Sequence, residues 1–448
     1  MKILLIAHSS LPFTFAGTEV YSFNLARKLS KKHDVTIFCR VNDPTQSEYA
    51  LNQIAYKGQK IYTVNNTFSK CWGFDNTYSN KHIDAVFERV IKEVNPDVIH
   101  IQHLLFLSLG FIGLAKKNNI PIVFTNNDYW LICQKGQLIR EGNILCDTFD
   151  PHACIECLAA QLTLNPFSAC MYRFLRKWAP FFLLCFCRKV YLATVKLIPQ
   201  GARNEELKLQ DRRENILLAV AGIDSFIAPS EFMRQKLIEF GIPKEKLFFY
   251  QYGISTKRYQ AIRKEKAKTL RFTFIGTLLP TKGVDLLVKA FKEVKDRDAS
   301  LNIYGRQALY AGYEEFYRNL LRWRGHDLRI QLMGEVENDK IEKVYAHTDV
   351  LVVPSIWYEN TPLVILEALA SQTPVIASRI GGIPELIQDG VNGLLFQPND
   401  CKDLSDKLNL LSCDSALLER LRLGAHALKD IGENANEMER IYEELLKD

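Results

Sequence analysis

The sequence lacks a hydrophobic run long enough to cross a membrane. The nearest approach is WAPFFLLCFC at residues 178–187, which is much shorter than the ~18 apolar residues that a spanning helix needs. The apolar run at residues 3–7 also ends before it could form the ~7–15-residue core of a secretory signal. We therefore predict a cytoplasmic protein, and we interpret residues 3–7 as a buried first strand.

A strong excess of one charge is also missing. The 448 residues carry a formal net charge of +6, with 24% charged and 47% hydrophobic residues. A small, dispersed positive excess does not predict a nucleic-acid partner. The hydrophobic content excludes intrinsic disorder and a fibrous repeat as the main description. At ~100–200 residues per domain, the length predicts two or three domains.

No export signal accompanies the 11 cysteines, so we expect free thiols in a reducing compartment. Four of the thiols cluster in the sequence, at Cys133, Cys146, Cys154 and Cys157. The last two have the spacing of a zinc knuckle, and the other two could complete a structural site of four thiolates. The irregular gaps between them leave a second interpretation open, namely four unrelated thiols in a loop that tolerates cysteine.

Two blocks of the sequence alternate strand-like and helix-like segments. The first begins with the strand at residues 3–7 and a helical pattern at 18–31, and the second begins with a strand at 271–275. Alternation of this kind gives parallel sheets with right-handed crossovers. We therefore predict an α/β fold with two doubly wound, Rossmann-like domains.

Changes in composition set the predicted domain boundaries. Residues 255–269 are polar and basic without a hydrophobic period, so we predict a linker between an N-terminal domain, 1–254, and a C-terminal domain, 270–430. A charged helix at 431–448 closes the chain.

An insertion at about residues 130–222 breaks the alternation of the first block. Within it, apolar and cationic residues are interleaved at about 167–198. That mixture is typical of an element that lies on a bilayer, and equally of a buried helical excursion whose lysines extend to solvent.

Two of the motifs that could carry chemistry are glycine-bearing loops after strands. Gly17-Thr18-Glu19 opens the first helix, where a glycine lets a ligand approach the unpaired N–H groups of the helix N-terminus. Gly276 begins a loop that ends in Lys282, whose ammonium could meet a diphosphate. The spacing of a Walker A loop is missing.

The most informative motif is residues 354–387, which contain Glu359 and Glu367. We predict Thr361 as the N-cap and Pro362 as the first residue of a helix. Backbone amides could then hold phosphate oxygens, while the two carboxylates bind hydroxyls of a sugar and a ribose. The amides expected to face the ligand belong to Thr361, Leu363 and Val364. The alternative is a capped amphipathic helix with two ordinary glutamates.

The Glu359-x7-Glu367 block, with PSIWYEN before it and PVIAS after it, resembles the retaining glycosyltransferases of family 4, the group 1 glycosyltransferases. The glycine-bearing loops follow the family's order, and the resemblance covers the chain except about residues 140–220. It implies a GT-B fold of two Rossmann-like domains facing a cleft. The C-terminal domain would bind a nucleotide-diphosphate sugar, the N-terminal domain would bind the acceptor, and the last helix would cross back to the first domain.

The resemblance also implies roles for the matched residues. Glu367 would bind the ribose, Glu359 the transferred sugar, and Lys282 the diphosphate. Residues expected near the reaction are His103, Lys282 and Glu359; near the donor, Gly17, Thr18, Gly276, Lys282, Arg306, Asn360, Thr361, Leu363, Val364 and Glu367; and near the acceptor, Glu19, Asn127 and Asp128.

Two positions depart from the family pattern. Members commonly have arginine where this chain has Thr277, so a cation on the leaving group is missing, and Arg306 is the candidate replacement. Many relatives have histidine where this chain has Asn127, and His103 or His100 could take that role.

The resemblance predicts transfer of a hexose-type sugar to a hydroxyl with retention at the anomeric carbon. No catalytic metal or cofactor is expected. We favour an acceptor that is a lipid-linked or surface-polysaccharide intermediate, of the lipopolysaccharide, capsule or O-antigen type, reached at the cytoplasmic face of a membrane. The alternatives are a nucleotide-sugar epimerase or a phosphorylase-like enzyme on the same fold, and a catalytically degenerate transferase that acts as a binding partner.

Overall fold

The described part of the chain divides into two compact units. The first comprises Met1–Ala228, Lys236–Phe248 and Met438–Asp448, and the second comprises Pro229–Gln235 and Phe249–Glu437. This is a computed structural model, and the residues that it describes are 1–71, 73–140, 142–162, 190, 202–265, 269–307, 315–424 and 428–447.

An eight-stranded sheet forms the centre of the first unit, in the order β10-β9-β6-β5-β1-β2-β4-β3. The first strand, β1, pairs in parallel with β2 and β5, while β3 and β4 form an antiparallel hairpin at one edge. The strands are Lys2–Ala7 (β1), Asp34–Val41 (β2), Leu51–Tyr56 (β3), Gln59–Asn65 (β4), Val98–Ile101 (β5), Ile122–Thr125 (β6), Ser225–Ala228 (β9) and Leu247–Phe249 (β10). A separate two-stranded hairpin joins Ile139–Arg140 (β7) and Ile144–Leu145 (β8).

The second unit has a six-stranded sheet in the order β13-β12-β11-β14-β15-β16. Its strands pair in parallel throughout, which is the strand order of a Rossmann sheet. They are Arg271–Ile275 (β11), Ser300–Tyr304 (β12), Ile330–Gly334 (β13), Val350–Val353 (β14), Val375–Ser378 (β15) and Gly393–Phe396 (β16). The predicted fold class, α/β with two parallel sheets, is confirmed.

Helices connect most of the strands, as right-handed crossovers between parallel strands require. In chain order they are Gly17–Leu29 (α1), Lys81–Val94 (α2), Gly110–Lys117 (α3), Pro151–Leu162 (α4), Ala202–Ala221 (α5), Glu231–Phe240 (α6), Thr256–Gln260 (α7), Val284–Lys292 (α8), Phe316–Arg324 (α9), Ile341–Ala346 (α10), Leu363–Ala370 (α11), Ile383–Leu386 (α12), Cys401–Cys413 (α13), Ser415–Leu423 (α14) and Ile431–Leu445 (α15).

Local sequence explains why β1 and α2 form where they do. Residues Ile3–Ala7 of β1 are at most 1% exposed, as expected for a continuous apolar run that is covered on both faces. At the start of α2, the side chain of Asn80 accepts hydrogen bonds from the N–H groups of His82 and Ile83. This cap satisfies two of the four unpaired amides of the first turn.

The sequence predicted a linker and an apolar, cationic segment within the insertion. The proposed linker at residues 255–269 falls in the range of the second unit, where Lys264 Nζ donates to the carbonyls of Tyr345 (2.8 Å) and Thr348 (3.1 Å). The apolar and cationic segment at about 167–198 lies outside the described residues, apart from Val190.

The remaining features concern the last helix and the possibility of a membrane-spanning helix. The last residues of α15 pack in the first unit, where the Tyr442 hydroxyl contacts His100 Nδ1 at 2.6 Å. None of the helices in the described ranges is long and apolar enough to cross a membrane.

Candidate functional site

In the second unit, two loops meet at the carboxyl edge of the sheet. One follows β11 and carries Lys282, and the other follows β14 and carries Glu359. Since β11 and β14 are neighbours at the point where the strand order reverses, this is the edge at which Rossmann sheets bind their ligands. Glycine allows the loops to touch: Gly283 has φ +65, and a Cβ there would lie 1.8 Å from the Pro354 carbonyl oxygen.

Lys282 and Glu359 form an ion pair at this edge. Lys282 Nζ lies 2.6 Å from Glu359 Oε1 and 4.9 Å from the centre of the Trp357 ring. The same carboxylate oxygen accepts hydrogen bonds from Ser355 Oγ (2.6 Å) and Trp357 Nε1 (2.8 Å). Glu359 is 5% exposed, so its carboxylate is held in one place before any ligand arrives.

The helix that follows, α11, corrects one prediction. It begins at Leu363, its N-cap is Pro362, and no side chain of the described residues caps it. Thr361 was wrongly predicted as the cap, because its hydroxyl donates to the Pro229 carbonyl at 2.9 Å instead. Asn360 is anchored in a similar way, since its Oδ1 accepts from Ser230 Oγ at 2.7 Å. No side chain therefore competes with a ligand for the first-turn amides.

The turn after β15 supports this loop from behind. Gly382 N–H donates to the Glu359 carbonyl at 2.8 Å. Gly381 has φ +58, and a Cβ there would lie 2.2 Å from the same oxygen. A larger residue at Gly381 would therefore displace Glu359.

Glu367 lies inside α11 with its carboxylate between two tyrosines. Tyr259 donates to Oε1 at 2.7 Å and Tyr345 donates to Oε2 at 3.0 Å. Burial raises the pKa of Glu367, and the two hydroxyl donors partly oppose that rise. The ribose contact of Glu367 remains a prediction.

The loops after β11 and β12 also lie side by side. Leu278 N–H donates to the Arg306 carbonyl at 3.0 Å, and Gly276 N–H donates to the Tyr304 carbonyl at 3.0 Å. The backbone of Arg306 thus runs beside the loop that contains Thr277. This placement is compatible with Arg306 as the replacement cation, which remains a prediction.

The first unit has a second cluster of polar groups at the carboxyl edge of its sheet. His8 follows β1, Glu19 lies in the first turn of α1, His103 follows β5, and Asp128 follows β6. His8 Nε2 lies 3.1 Å from Glu19 Oε1, and His103 Nε2 lies 2.9 Å from Asp128 Oδ2. The two imidazole rings are 4.5 Å apart. The structure therefore brings together three residues that the sequence predicted, with His8 added.

The hydrogen bonds assign the proton on His103. Leu105 N–H donates to His103 Nδ1 at 2.9 Å, so in the neutral ring the proton is on Nε2. Nε2 is close to Asp128, but its direction falls short of a hydrogen bond, and among the described residues this buried polar atom has no hydrogen-bond partner. His8 Nδ1 and Glu19 Oε2 are in the same condition. A buried polar atom in this state calls for an explanation, and a catalytic or binding role is one of those that apply.

Glu19 and His8 stabilise each other's charged form. Burial by itself would lower the pKa of His8, but the Glu19 carboxylate outweighs it and the pKa is raised. Burial by itself would raise the pKa of Glu19, but His8 outweighs it and the pKa is lowered. An ion pair is therefore the favoured state near neutral pH.

A cavity of about 850 Å³ opens above this cluster in the first unit. His8, Glu19, Arg40, Phe13 and Phe106 are among the residues that line it. Burial lowers the pKa of Arg40 to about 10, which still leaves it charged at neutral pH.

The structure corrects the alternative based on His100. Its side chain is fully buried, with Nε2 2.8 Å from Thr125 Oγ1 and Nδ1 on Tyr442. Burial lowers the pKa of His100 to about 3, so it stays neutral and packs inside the unit. Asn127 donates from Nδ2 to the Gln102 carbonyl at 2.7 Å, which fixes the segment after β5.

The four clustered cysteines line one cavity of about 710 Å³ in the first unit. Burial, with the neighbouring thiols, raises the pKa of Cys154 to about 11. As they are placed, no three His, Cys, Asp or Glu side chains in the described ranges are grouped closely enough to hold a metal ion. The zinc site therefore remains a prediction.

Several residues of these sites were missed in the sequence. His8 had a usable signal, since it follows the last residue of a buried strand. Tyr259 and Tyr345 had none, because they belong to helices that contact Glu367 only in the folded chain.

Known protein families match most of the chain. The model for glycosyl transferases group 1 matches residues 255–429, and the model for glycosyltransferase family 4 matches residues 15–146. A D-inositol 3-phosphate glycosyltransferase from Corynebacterium aurimucosum is 30% identical over 444 residues, which cover 96% of this chain and 91% of that protein.

Other relatives are more distant or match over a shorter length. The D-inositol 3-phosphate glycosyltransferase of Corynebacterium efficiens is 35% identical over 160 residues, so the match spans 35% of this chain but only 37% of that protein. An uncharacterised 42.6 kDa protein from the cps region of Klebsiella pneumoniae is 25% identical over 399 residues, covering 86% of this chain and 87% of that protein.

Solved structures share the fold. A sucrose-phosphate synthase from Thermosynechococcus elongatus superposes with a TM-score of 0.68 at 17% identity, covering 99% of both chains. The HepE protein of Anabaena, in complex with UDP and glucose, superposes with a TM-score of 0.64 at 15% identity, also covering 99% of both chains.

The sheets and these matches define a glycosyltransferase with the GT-B fold. Within that class, the chain belongs to the group 1 glycosyltransferases, family 4.

Proposed function

We propose that this protein is a retaining glycosyltransferase that moves a hexose from a nucleotide-diphosphate sugar to a hydroxyl group. The observation that carries the proposal is the 2.6 Å contact of Lys282 with Glu359 at the carboxyl edge of the second sheet. A cation and a hydroxyl-binding carboxylate lie together beside a helix N-terminus that no side chain caps. This combination suits a sugar whose leaving group is a diphosphate.

Each group at this edge has a role in the proposed donor complex. The amides of Leu363 and Val364 hold phosphate oxygens, and Lys282 neutralises the charge that develops as the diphosphate leaves. Glu359 accepts hydrogen bonds from hydroxyls of the sugar. Glu367 accepts from the ribose while the tyrosines hold it, because a carboxylate has about four lone-pair sites.

The expected chemistry needs little from protein acids and bases. In front-face transfer, the leaving phosphate oxygen accepts the proton of the acceptor hydroxyl as that hydroxyl forms the new glycosidic bond. The protein contributes position and stabilisation of the departing charge. No step requires a metal ion.

We assign the acceptor to the first unit. His103 Nε2, His8 Nδ1 and Glu19 Oε2 are buried and have no hydrogen-bond partners within the described ranges, and His8 and Glu19 line the 850 Å³ cavity. A polyhydroxylated acceptor would satisfy these atoms, with His103 Nε2 donating to an acceptor oxygen.

The acceptor that we favour is a lipid-linked or surface-polysaccharide intermediate. Phe13 and Phe15 are 45% and 44% exposed, and Phe13 lines the cavity together with charged Arg40. Exposed aromatic rings and a guanidinium suit an acceptor with an apolar chain and a phosphate. The relative from a cps region supports a role in polysaccharide synthesis.

The test is a screen of nucleotide sugars against lipid-linked and free glycan acceptors, with the product identified by mass spectrometry and its anomeric configuration by NMR. We expect acceptor-dependent release of a nucleoside diphosphate and a product with the donor's anomeric configuration. Conversion of the donor without an acceptor would identify an epimerase instead. A product with the opposite configuration would contradict retention.

Lys282→Ala is the matched test of the donor site. We expect a loss of activity of about 10²-fold or more, since a preorganised charge at a developing anion typically has that effect. The control is Lys289→Ala, because Lys289 is a half-exposed lysine of the same unit that pairs with Asp285 on α8. Near-normal turnover of the Lys282 variant would overturn the assignment.

A further inference from the structure

We propose that Cys133, Cys146, Cys154 and Cys157 bind a structural zinc ion in the insertion of the first unit. The proposal is independent of the transferase reaction. It rests on the convergence of the four thiols and on a buried arginine beside them.

Separate elements bring the thiols to one cavity. Cys133 lies in a turn, where its N–H donates to the Tyr129 carbonyl at 2.7 Å. Cys146 directly follows β8, and its N–H donates to the Leu138 carbonyl at 2.8 Å. Cys154 and Cys157 are three residues apart in α4, so they share one helix face. All four line the cavity of about 710 Å³ and none forms a disulfide.

The elements that carry or adjoin the thiols are small. The β7 and β8 strands have 2 residues each, and α4 has 12. A hairpin and a helix of this size bury little apolar surface of their own, and four cysteine ligands on such elements are the usual construction of a structural zinc site.

Arg212 is the second, independent observation. It is 4% exposed and lines the same cavity, while its Nε has no hydrogen-bond partner in the part of the chain that the structure describes. Its other contacts in the described residues are the Trp130 carbonyl and the rings of Tyr78 and Trp130. The groups whose charge acts on it are, in order, Cys133, Tyr78, Cys154 and Asp128, so two of the four thiols are among its electrostatic neighbours. A buried cation needs a negative partner.

A zinc ion with four thiolates would provide that partner. Such a centre carries two net negative charges, and the N–H groups of nearby side chains commonly bind ligand sulfurs in this way. As placed, the thiols stand too far apart for ligation. Zinc binding would draw Cys146 and the α4 pair toward Cys133, since a Zn–S bond is about 2.3 Å long.

Metal analysis of the full-length protein, expressed with added zinc and purified under reducing conditions, tests the proposal. We expect close to one zinc per chain, and cobalt exchange should give the thiolate charge-transfer absorption of a tetrahedral site. A zinc-free protein without that absorption would overturn the proposal. A disulfide that persists among these four cysteines after purification under reducing conditions would overturn it as well.

Variants locate the metal. Cys154→Ser should lose most of the zinc, whereas Cys413→Ser, which changes an exposed cysteine outside the cluster, should retain it. If Cys154→Ser does not fold, the wild-type protein is titrated with a mercurial reagent instead. One zinc per chain should then be released as these four thiols are modified, and a peptide map identifies the modified thiols. Zinc that persists in Cys154→Ser, or that is released by modification of other cysteines, would overturn the assignment.

Discussion

Glu359 has a carboxylate that serves three donors before any substrate binds. Lys282, Ser355 and Trp357 all contact Oε1. Glu359→Gln would remove the negative charge with little change in shape. We expect kcat/KM to fall by about 10²-fold, with a smaller effect on the thermal midpoint, since glutamine keeps an acceptor oxygen for the donors and the partner Lys282 is 28% exposed.

Steady-state kinetics and thermal unfolding of the same preparations measure kcat/KM and the thermal midpoint, and so test this prediction. The matched control is Glu337→Gln, which removes an exposed glutamate paired with Lys340 and should leave both properties unchanged. Full activity of Glu359→Gln would show that the carboxylate does not contact the transferred sugar.

The His8–Glu19 pair predicts a pH dependence of stability. The folded pKa of His8 is raised, so its contribution is fully present below the unfolded value of about 6.5 and is lost as pH rises through the folded value. The difference in thermal midpoint between wild type and His8→Asn should therefore shrink as pH rises from about 6, where Glu19 with its lowered pKa is ionised, through the raised pKa of His8 into the alkaline range. A difference that grows with pH would contradict the ion pair.

Two glycines, Gly283 and Gly17, allow the effect of packing to be separated from the effect of ligand contact. A Cβ at Gly283 would clash with the Pro354 carbonyl oxygen, whereas a Cβ at Gly17 would meet nothing within 4 Å. We expect Gly283→Ala to destabilise the protein by about 1–3 kcal/mol. We expect Gly17→Ala to keep its thermal midpoint and to raise KM for the donor if a phosphate approaches α1.

Thermal unfolding and donor kinetics of both variants check this prediction, with Gly113→Ala as the control. Gly113 lies in α3, and a Cβ there would also meet nothing within 4 Å. If Gly17→Ala kept its KM, the predicted donor contact of Gly17 would be wrong.

The alternating elements were the most predictable feature of this chain. The apolar runs of β1 and β14 are buried on both faces, so their sequences carry the strand signal themselves. The start of α11 was predicted one residue too early, because the Thr361 hydroxyl bonds to a distant carbonyl rather than to the helix. Contacts between residues far apart in sequence, such as Tyr259 with Glu367, left no local pattern to find.

At the scale of the whole molecule, the positive residues near the apolar segment predict a peripheral membrane contact. Arg173, Arg176, Lys177, Arg188 and Lys189 flank WAPFFLLCFC. We expect cosedimentation with anionic liposomes that weakens as salt rises, at ~1 kcal/mol per basic residue near the surface. A variant with these five residues changed to glutamine should bind less, while neutral liposomes serve as the control. Equal binding to neutral and anionic liposomes would contradict the electrostatic part.

The site of the second unit was easier to predict than that of the first, because most of its residues belong to one continuous stretch, residues 354–387. Lys282 and Glu359 lie 77 residues apart, but each lies in the loop after a strand of the Rossmann order, β11 or β14, and the family resemblance named both. The first unit's cluster draws on three separate connections, after β1, β5 and β6, which only the sheet brings together. Its fourth member, His8, was missed although it directly follows β1.

Binding of nucleotide sugars to the wild type and Lys282→Ala is the most direct test of the proposed donor site. The binding is measured by isothermal titration with a panel of UDP, GDP and ADP sugars. We expect one of these sugars to bind the wild type and Lys289→Ala with equal affinity and to bind Lys282→Ala at least about tenfold more weakly. If none of these donors bound the wild type, or if one bound all three proteins with the same affinity, the assignment of the donor to this edge of the second sheet would be wrong.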